Sequence, residues 1–355
     1  MMKQKDNTHT NTIIKEELDF AVIGAGISGL TFANKMHSLG FSTQVFEKSR
    51  GTGGRISSKK VHNSGQQEMA FDLGCISFAA KSLPFKSQLE CWHQIGVISP
   101  WLEDQQGIQY YVANSRNSSL TRYLSKHLDC HFSTKITSIN NNNGVWELLC
   151  CRNDKEQTIV YANNIVLATP SAQAFDLLPN QLKMKDQLSN VVLEPQWVLA
   201  VELNNPQLNF SDVYFPNSEI IHSISIESNK PTRQHSRDSK ILQIQTTTTW
   251  SHRNLEKNIH TIENDILKEL EYISNQSLTV INSYLHRWLY STVSHGLGLP
   301  KPYSWHTSGI GLIGDYFDNK HFGIEASWLS AVALANNLAD ICEHKTSTSR
   351  TDQDD

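Results

Sequence analysis

The 355-residue sequence has no uninterrupted apolar run long enough to span a bilayer. It has no basic block either. Its 31 Lys and Arg are set against 35 Asp and Glu for a net charge of −4, a balance without a nucleic-acid footprint. The six cysteines (Cys75, Cys91, Cys130, Cys150, Cys151 and Cys342) contain no C-x-x-C pair and no disulfide framework for a chain of this size. The fifteen histidines are scattered. His252 with His260, or His286 with His295, could meet in space, but surface or core roles suffice, so no metal is expected. Met1 to Glu17 is polar and lacks the basic-then-apolar layout of a signal peptide. No Ser-His-Asp set and no paired carboxylates stand in motif context. These absences point to a soluble, cytoplasmic protein of a reducing compartment, with neither nucleic acid nor membrane as a partner.

What is present is concentrated between Leu18 and Arg55. Phe20 to Ile23 is a short apolar, β-branched run and reads as a buried strand. Gly24-Ala-Gly26-Ile27-Ser28-Gly29 follows at once and opens a helical run to Gly40. This is the G-x-G-x-x-G dinucleotide fingerprint in its strand-to-helix context. Gly24 permits the tight turn, Gly26 lets backbone approach a pyrophosphate, and Gly29 lets helix and strand pack closely. The positive end of the helix then holds phosphates. A second strand, Thr43 to Phe46, ends in Glu47 at about the spacing where a carboxylate meets ribose hydroxyls. An acidic residue there fits FAD or NAD and argues against a 2′-phosphate.

Gly53-Gly54-Arg55 is a second glycine-rich turn just beyond Glu47 and Lys48, with Arg50 nearby. Paired glycines let backbone lie close to a bulky cofactor, and a guanidinium can neutralise a diphosphate. In this position the turn favours FAD over NAD. Near the other end of the chain, Gly309 to Asp315 reads as a strand ending in Gly314-Asp315, and Gly323-Ile324-Glu325-Ala326 opens a long apolar helix. Asp315 could accept hydrogen bonds from ribityl hydroxyls. The helix amides could face the pyrimidine end of a flavin, where reduction leaves negative charge.

Between these ends, Met69 to Phe78 reads as strand, turn, strand. Its Asp72-Leu73-Gly74 turn either brings backbone near a flavin or is simply a hairpin. Leu83 to Ile95 and Leu120 to Leu128 have helical spacing, the second with a cap at Ser118 or Ser119. Thr134 to Ile136 reads as the return strand into the cofactor domain. Trp146 to Cys151 and Gln157 to Tyr161 read as hairpin arms, and Asn164 to Thr169 as an apolar strand cut off by Pro170. Val198–Leu203, Ile220–Ile226, Ile241–Thr249 and Val280–Tyr290 are strand-like, and Glu227 to Ser239 reads as exposed. Ile259, Ile262, Ile266 and Leu270 mark a helix over 255–273. The fold expected is α/β. A discontinuous FAD-binding domain spans 17–80, 132–172 and 291–342, and an α+β substrate domain is inserted at 81–131 and 173–290. Residues 1–16 and 343–355 are expected to be disordered tails.

Taken together, Val22 to Gly29, Glu47-Lys48, Gly53 to Arg55, Phe71 to Gly74, Arg287-Trp288-x-Tyr290, Gly314-Asp315 and Gly323-x-Glu325-Ala326 resemble the renalase-type flavoproteins, especially bacterial ones, over roughly residues 18 to 342. The resemblance implies a p-hydroxybenzoate-hydroxylase-like topology, with FAD held near the residues named above and near Ile136 and Thr169. No cysteine lies between Cys151 and Cys342, so the FAD is expected to be non-covalent. It also implies oxidation of 2- and 6-dihydro isomers of NAD(P)H to NAD(P)+, with electrons passed to dioxygen to give hydrogen peroxide. A dihydropyridine already carries a transferable hydride, so stacking and orientation supply most of the catalysis. His286, Arg287, Trp288 and His295 are the candidates for shaping the substrate face. Trp288 could equally be a core tryptophan, and Arg287 could hold a phosphate or a surface partner. The family usually carries Ala-Gln-Tyr-Phe after Asp-x-Gly, whereas this chain has Cys75-Ile76-Ser77-Phe78. That change leaves two alternatives open: an amine oxidase or desaturase on the same domain, and a flavin-binding protein without turnover.

Overall fold

A computed structural model describes residues 17–62, 68–204, 206–234, 238–318 and 322–351. The chain begins with β1 (Glu17–Ile23), α1 (Ile27–Ser38) and β2 (Thr43–Phe46), the βαβ unit expected from the sequence. A hairpin, β3 (Ser58–His62) and β4 (Glu68–Asp72), follows the glycine turn. Then come α2 (Leu83–Gln94), the hairpin of β5 (Ile98–Glu103) and β6 (Gln109–Ala113), and α3 (Ser118–Ser125). A short β7 (Asp129–His131) leads into a meander of β8 (Thr134–Asn142), β9 (Val145–Arg152) and β10 (Glu156–Leu167). Next are α4 (Ser171–Leu177), α5 (Lys183–Leu188), β11 (Val192–Asn204), β12 (Val213–Tyr214), β13 (Ile221–Ile226) and β14 (Ser239–Thr246). The chain continues through α6 (Thr248–Arg253), α7 (Ile259–Ser274), β15 (Val280–His295), β16 (Tyr303–His306), β17 (Ile310–Ile313) and α8 (Ile324–Thr351).

Strands β17, β10, β1, β2 and β7 lie side by side and parallel, a Rossmann-like sheet. Strand β10 is long enough for two jobs. Its first part pairs antiparallel with β9, and Tyr161 to Leu167 pairs parallel with β1. Side chains of β1 are divided between two cores. Phe20 and Val22 pack with Leu30, Phe32, Trp328 and Leu334 of α1 and α8. Leu18, Ala21 and Ile23 pack with Trp146, Leu148, Leu178 and Met184 on the other face. Both faces of a parallel sheet must be covered, and here helices cover one and the meander with α4 and α5 the other.

The second sheet is antiparallel in the order β12-β13-β14-β11-β15. One face is apolar: Leu199, Val201, Ile224 and Ile244 pack on Ile262, Ile266 and Leu270 of α7. The opposite face carries Ala200 and Ile241 against Phe71 and Leu73, with Tyr284 and Trp288 alongside. The β4 strand and its turn are thus sandwiched against the second sheet.

Several expectations are corrected. The return into the parallel sheet is made by β7 at 129–131, not by Thr134 to Ile136, which belong to the meander. Residues 129–131 therefore leave the expected substrate segment. Strand β15 runs through the expected boundary at 290/291 to His295. Ile259 stands at the start of α7 and is 57 % exposed, so it drops out of the helix's buried stripe. Residues 343–351 continue α8 rather than forming a tail, while 1–16 lie outside the described residues. The segment from Glu227 is not uniformly exposed: Glu227, Ser228 and Lys230 are buried, while Asn229 faces solvent.

Candidate functional site

The carboxyl ends of β1, β2, β10 and β17 meet at one edge of the parallel sheet, where such sheets bind their ligands. Gly24 N donates to Phe46 O at 2.8 Å and Ala168 N to Ile23 O at 2.8 Å, which sets the three loops in register. Gly29 sits where any Cβ would collide with the Gly24 carbonyl oxygen, so the strand and α1 cross without a side chain between them. At Gly26 the opposite holds. Apart from adjoining backbone, nothing lies within 4 Å of where a Cβ would stand. No side chain caps α1 and no acid lies in its first turn, so its positive end remains available to an anion. Ile27 and Ser28, in that first turn, are both buried.

Glu47 lies beside this turn. One carboxylate oxygen accepts from Ala25 N at 2.9 Å and the other from Ser49 N at 2.8 Å. Each oxygen keeps a lone pair for a hydroxyl donor. Lys48 beyond it is exposed. Thr169, at the end of β10, has a buried Oγ1 with no protein partner, and its methyl lies at the back of Gly24. Ile136 is a core residue of the meander side. An uncapped helix end, an open cradle at Gly26, a carboxylate with spare capacity and an orphaned buried hydroxyl fit a dinucleotide such as FAD.

The second glycine turn packs directly against the first, with Gly53 N donating to Ala25 O at 3.1 Å and the Cα of Gly26 behind Gly54. Arg55 does not reach toward that turn. Its guanidinium grips Asp315 through Nη1 at 2.7 Å and Nη2 at 2.6 Å. Asp315, 1 % exposed, also accepts from Gly323 N at 3.0 Å, at the entrance to α8. Burial would lower the Arg55 pKa, but the charge and hydrogen bonds of Asp315 turn the shift upward. Gly314 N is held by Ser330 Oγ at 3.0 Å. Ile324 and Ala326 are buried in the first turn of α8. Glu325 does not face the cofactor edge. Its carboxylate accepts from Lys81 N at 2.9 Å and Ser82 N at 2.7 Å, tying α8 to the start of α2.

Asp72 is fully buried and fully engaged. One oxygen accepts from Ser58 Oγ at 2.7 Å and Asn117 N at 2.8 Å, the other from Lys230 Nζ at 3.0 Å and Arg233 Nη2 at 2.8 Å. Burial pushes its pKa up, but Lys230 and Arg233 outweigh that and bring it down to about 2. Glu227 completes the cluster, paired with Lys230 and accepting from Asp72 N at 3.1 Å. Burial pushes the Glu227 pKa up. The cluster escaped sequence reading because Lys230 and Arg233 look like a solvated charge run until Asp72, distant in sequence, is placed beside them. The Asp72 carboxylate therefore offers nothing to a cofactor. The backbone of its neighbours Leu73 and Gly74 is engaged as well, with Leu73 N donating to Ser57 O and the Leu73 and Gly74 carbonyls accepting from Trp288, Gln243 and Gln245.

The four substrate-face candidates separate. His286 and Trp288 share one face of β15, with ring centroids 4.5 Å apart, and Trp288 Nε1 donates to Leu73 O at 2.8 Å. Burial and Lys59 both lower the His286 pKa, favouring the neutral ring. Arg287 points to the other face, as strand periodicity requires. There it donates to Leu255 O at 2.7 Å and lies over the Trp197 ring. His295 is exposed at the strand end, opposite Val192. Burial pushes the Cys75 thiol up to about 12, which disfavours the thiolate. Among the described residues no group of three or more His, Cys, Asp or Glu could hold a metal, and no helix is long and apolar enough to cross a membrane.

Comparison with known proteins agrees with this geometry. The family described as NAD(P)-binding Rossmann-like domain matches residues 22–86. Mouse renalase is 22 % identical over 299 residues, which cover 77 % of this chain and 84 % of the relative. Among solved structures, a protein named as a candidate protoporphyrinogen oxidase from Exiguobacterium superposes with a TM-score of 0.70 at 12 % identity, covering 92 % of this chain and 99 % of that one. Putrescine oxidase bound to putrescine superposes with a TM-score of 0.61 at 13 % identity, with coverage of 92 % and 99 %. The chain has the fold of these oxidases, built on a Rossmann-like dinucleotide-binding unit.

Proposed function

We propose that the protein is an FAD-dependent oxidoreductase of the renalase type. Its substrates are the 2- or 6-dihydro isomers of NAD(P)H, which leave as NAD(P)+ while dioxygen takes up the two electrons and becomes hydrogen peroxide. The observation that carries the reading is the convergence of Gly24 to Gly29, Glu47, Gly53-Gly54, Thr169, Gly314-Asp315 and Gly323-Ile324 on one sheet edge, together with the likeness to mouse renalase over most of the chain.

FAD, when bound, supplies two-electron redox chemistry that no side chain here carries. The uncapped start of α1 and Gly26 would hold its diphosphate, Glu47 would accept from the ribose hydroxyls, and Thr169 Oγ1 would offer a further polar contact. The amides at Ile324 to Ala326, at the positive end of α8, would favour the negative charge that reduction leaves on the flavin. The parallel sheet and β8 to β10 form the FAD unit, and the second sheet with the β5–β6 hairpin forms the substrate unit. His286 and Trp288 orient the substrate, while Arg287 and His295 take no part.

The test is anaerobic addition of a mixture of 2- and 6-dihydro-NAD(P) to the purified flavoprotein. Immediate bleaching of the flavin bands supports this reading. Bleaching by a primary amine alone would replace it with an amine oxidase, and no bleaching by either would leave a flavin-binding protein without turnover.

A further inference from the structure

The Asp72-Leu73-Gly74 turn, which directly precedes the Cys75-Ile76-Ser77 departure from the family pattern, is held by hydrogen bonds on both sides. Three successive carbonyls, those of Asp72, Leu73 and Gly74, accept from side chains of the second sheet. Gln243 Nε2 donates to Asp72 O at 3.0 Å and to Gly74 O at 2.9 Å. Gln245 Nε2 donates to the same Gly74 O at 2.5 Å, and Trp288 Nε1 to Leu73 O. The amides of the turn point the other way. Leu73 N donates to Ser57 O and Cys75 N to Arg55 O, both at 2.9 Å. Gly74 is required for this, because a Cβ there would collide with the Arg55 carbonyl. Arg55 in turn grips Asp315, and Asp315 takes the Gly323 amide.

We propose that Gln243 and Gln245, with Trp288, are positioning residues that couple the second sheet through the 72–75 turn and the Arg55–Asp315 pair to the entrance of α8. The cofactor consequence rests on the FAD reading above. The contacts run from the second sheet to α8 through hydrogen bonds joined by the Gly74–Cys75 peptide and by Arg55 itself, whose carbonyl accepts from Cys75 N and whose guanidinium grips Asp315. Gln243 is fully buried on the face of β14 that looks at the turn, so its amide has no solvent to fall back on. Neighbouring Ile244 points to the α7 core on the opposite face, which supplies an internal control.

The experiment compares wild type, a Gln243→Leu/Gln245→Leu variant and Ile244→Val by hydrogen exchange of the apoprotein and by FAD titration. In the double Leu variant, exchange should rise both in 71–78 and in 314–326. FAD should bind roughly tenfold more weakly, the effect of one to two net hydrogen bonds, with an altered visible circular dichroism of the flavin. Ile244→Val should lower stability while leaving the 314–326 exchange and FAD affinity unchanged. Faster exchange confined to 71–78, or equal effects from Ile244→Val, would overturn the coupling. Failure of wild type to bind FAD would overturn the functional reading alone, because the exchange comparison needs no cofactor. A variant too unstable to purify would be replaced by the single Gln245→Leu substitution, judged by the same two exchange windows.

Discussion

Arg55 and Asp315 are joined side-on by two hydrogen bonds of 2.7 and 2.6 Å. The pair links the second glycine turn, at the start of the chain, to the strand and helix that close the parallel sheet at its end. Each had been expected to meet the cofactor, Arg55 through its diphosphate and Asp315 through its ribityl chain. In the structure they are bound to each other, and Asp315 also takes the Gly323 amide at the entrance to α8.

Asp315→Ala leaves a guanidinium, 32 % exposed, without its partner and the Gly323 amide without its acceptor. The expected loss of stability is about 3 kcal/mol, read from urea unfolding of the apoprotein. A loss below about 1 kcal/mol would mean that the pair behaves as a surface salt bridge.

Asp72→Asn removes the charge that balances Lys230 and Arg233 in a buried site. The expected cost is about 3–5 kcal/mol at neutral pH. The sign with pH follows from the lowered pKa. A carboxylate held at about 2 when folded and 3.8 when unfolded stabilises the fold above 3.8, and loses that contribution as pH falls toward about 2. The stability gap between wild type and Asp72→Asn should therefore narrow across that window. A gap that stayed constant would contradict the assignment.

Trp288→Phe keeps an aromatic ring but loses the indole N–H, leaving Leu73 O without its donor, an expected cost of about 1–3 kcal/mol. Arg287→Ala, on the opposite face of the same strand, should change stability by at most about 1 kcal/mol and leave steady-state turnover with the dihydronicotinamide isomers unchanged. A selective loss of turnover in Arg287→Ala would return that residue to the substrate face.

The βαβ unit was legible because its signals are local: a β-branched strand, glycines at fixed spacing, a helix and a carboxylate. The stripe of Ile262, Ile266 and Leu270 was legible for the same reason. Period-2 alternation in β15 was also present, and it already separates Arg287 from His286 and Trp288. Reading the motif as one unit obscured that. The buried cluster could not be read locally. Glu227, Lys230 and Arg233 become core residues only through Asp72, which the chain brings to them from a different sheet. The β5–β6 hairpin went unassigned because Ser99 and Pro100 break up the strand pattern of β5. The polar end of α8 carries Thr and Ser with low helix preference, yet it continues a helix begun by a strongly apolar segment.

Glu47→Ala removes the acceptor assigned to the adenosine ribose, and FAD affinity should fall by about 1.5–3 kcal/mol, the worth of hydrogen bonds to a charged acceptor. Unchanged retention of flavin would move the adenosine away from β2.

The most direct measurement is the visible spectrum of the purified protein, with calorimetric titration of its apo form by FAD. Two flavin bands and one FAD bound per chain are predicted, with release of unmodified FAD on denaturation because no covalent link is made. A colourless protein whose apo form takes up no FAD would contradict the account at its centre.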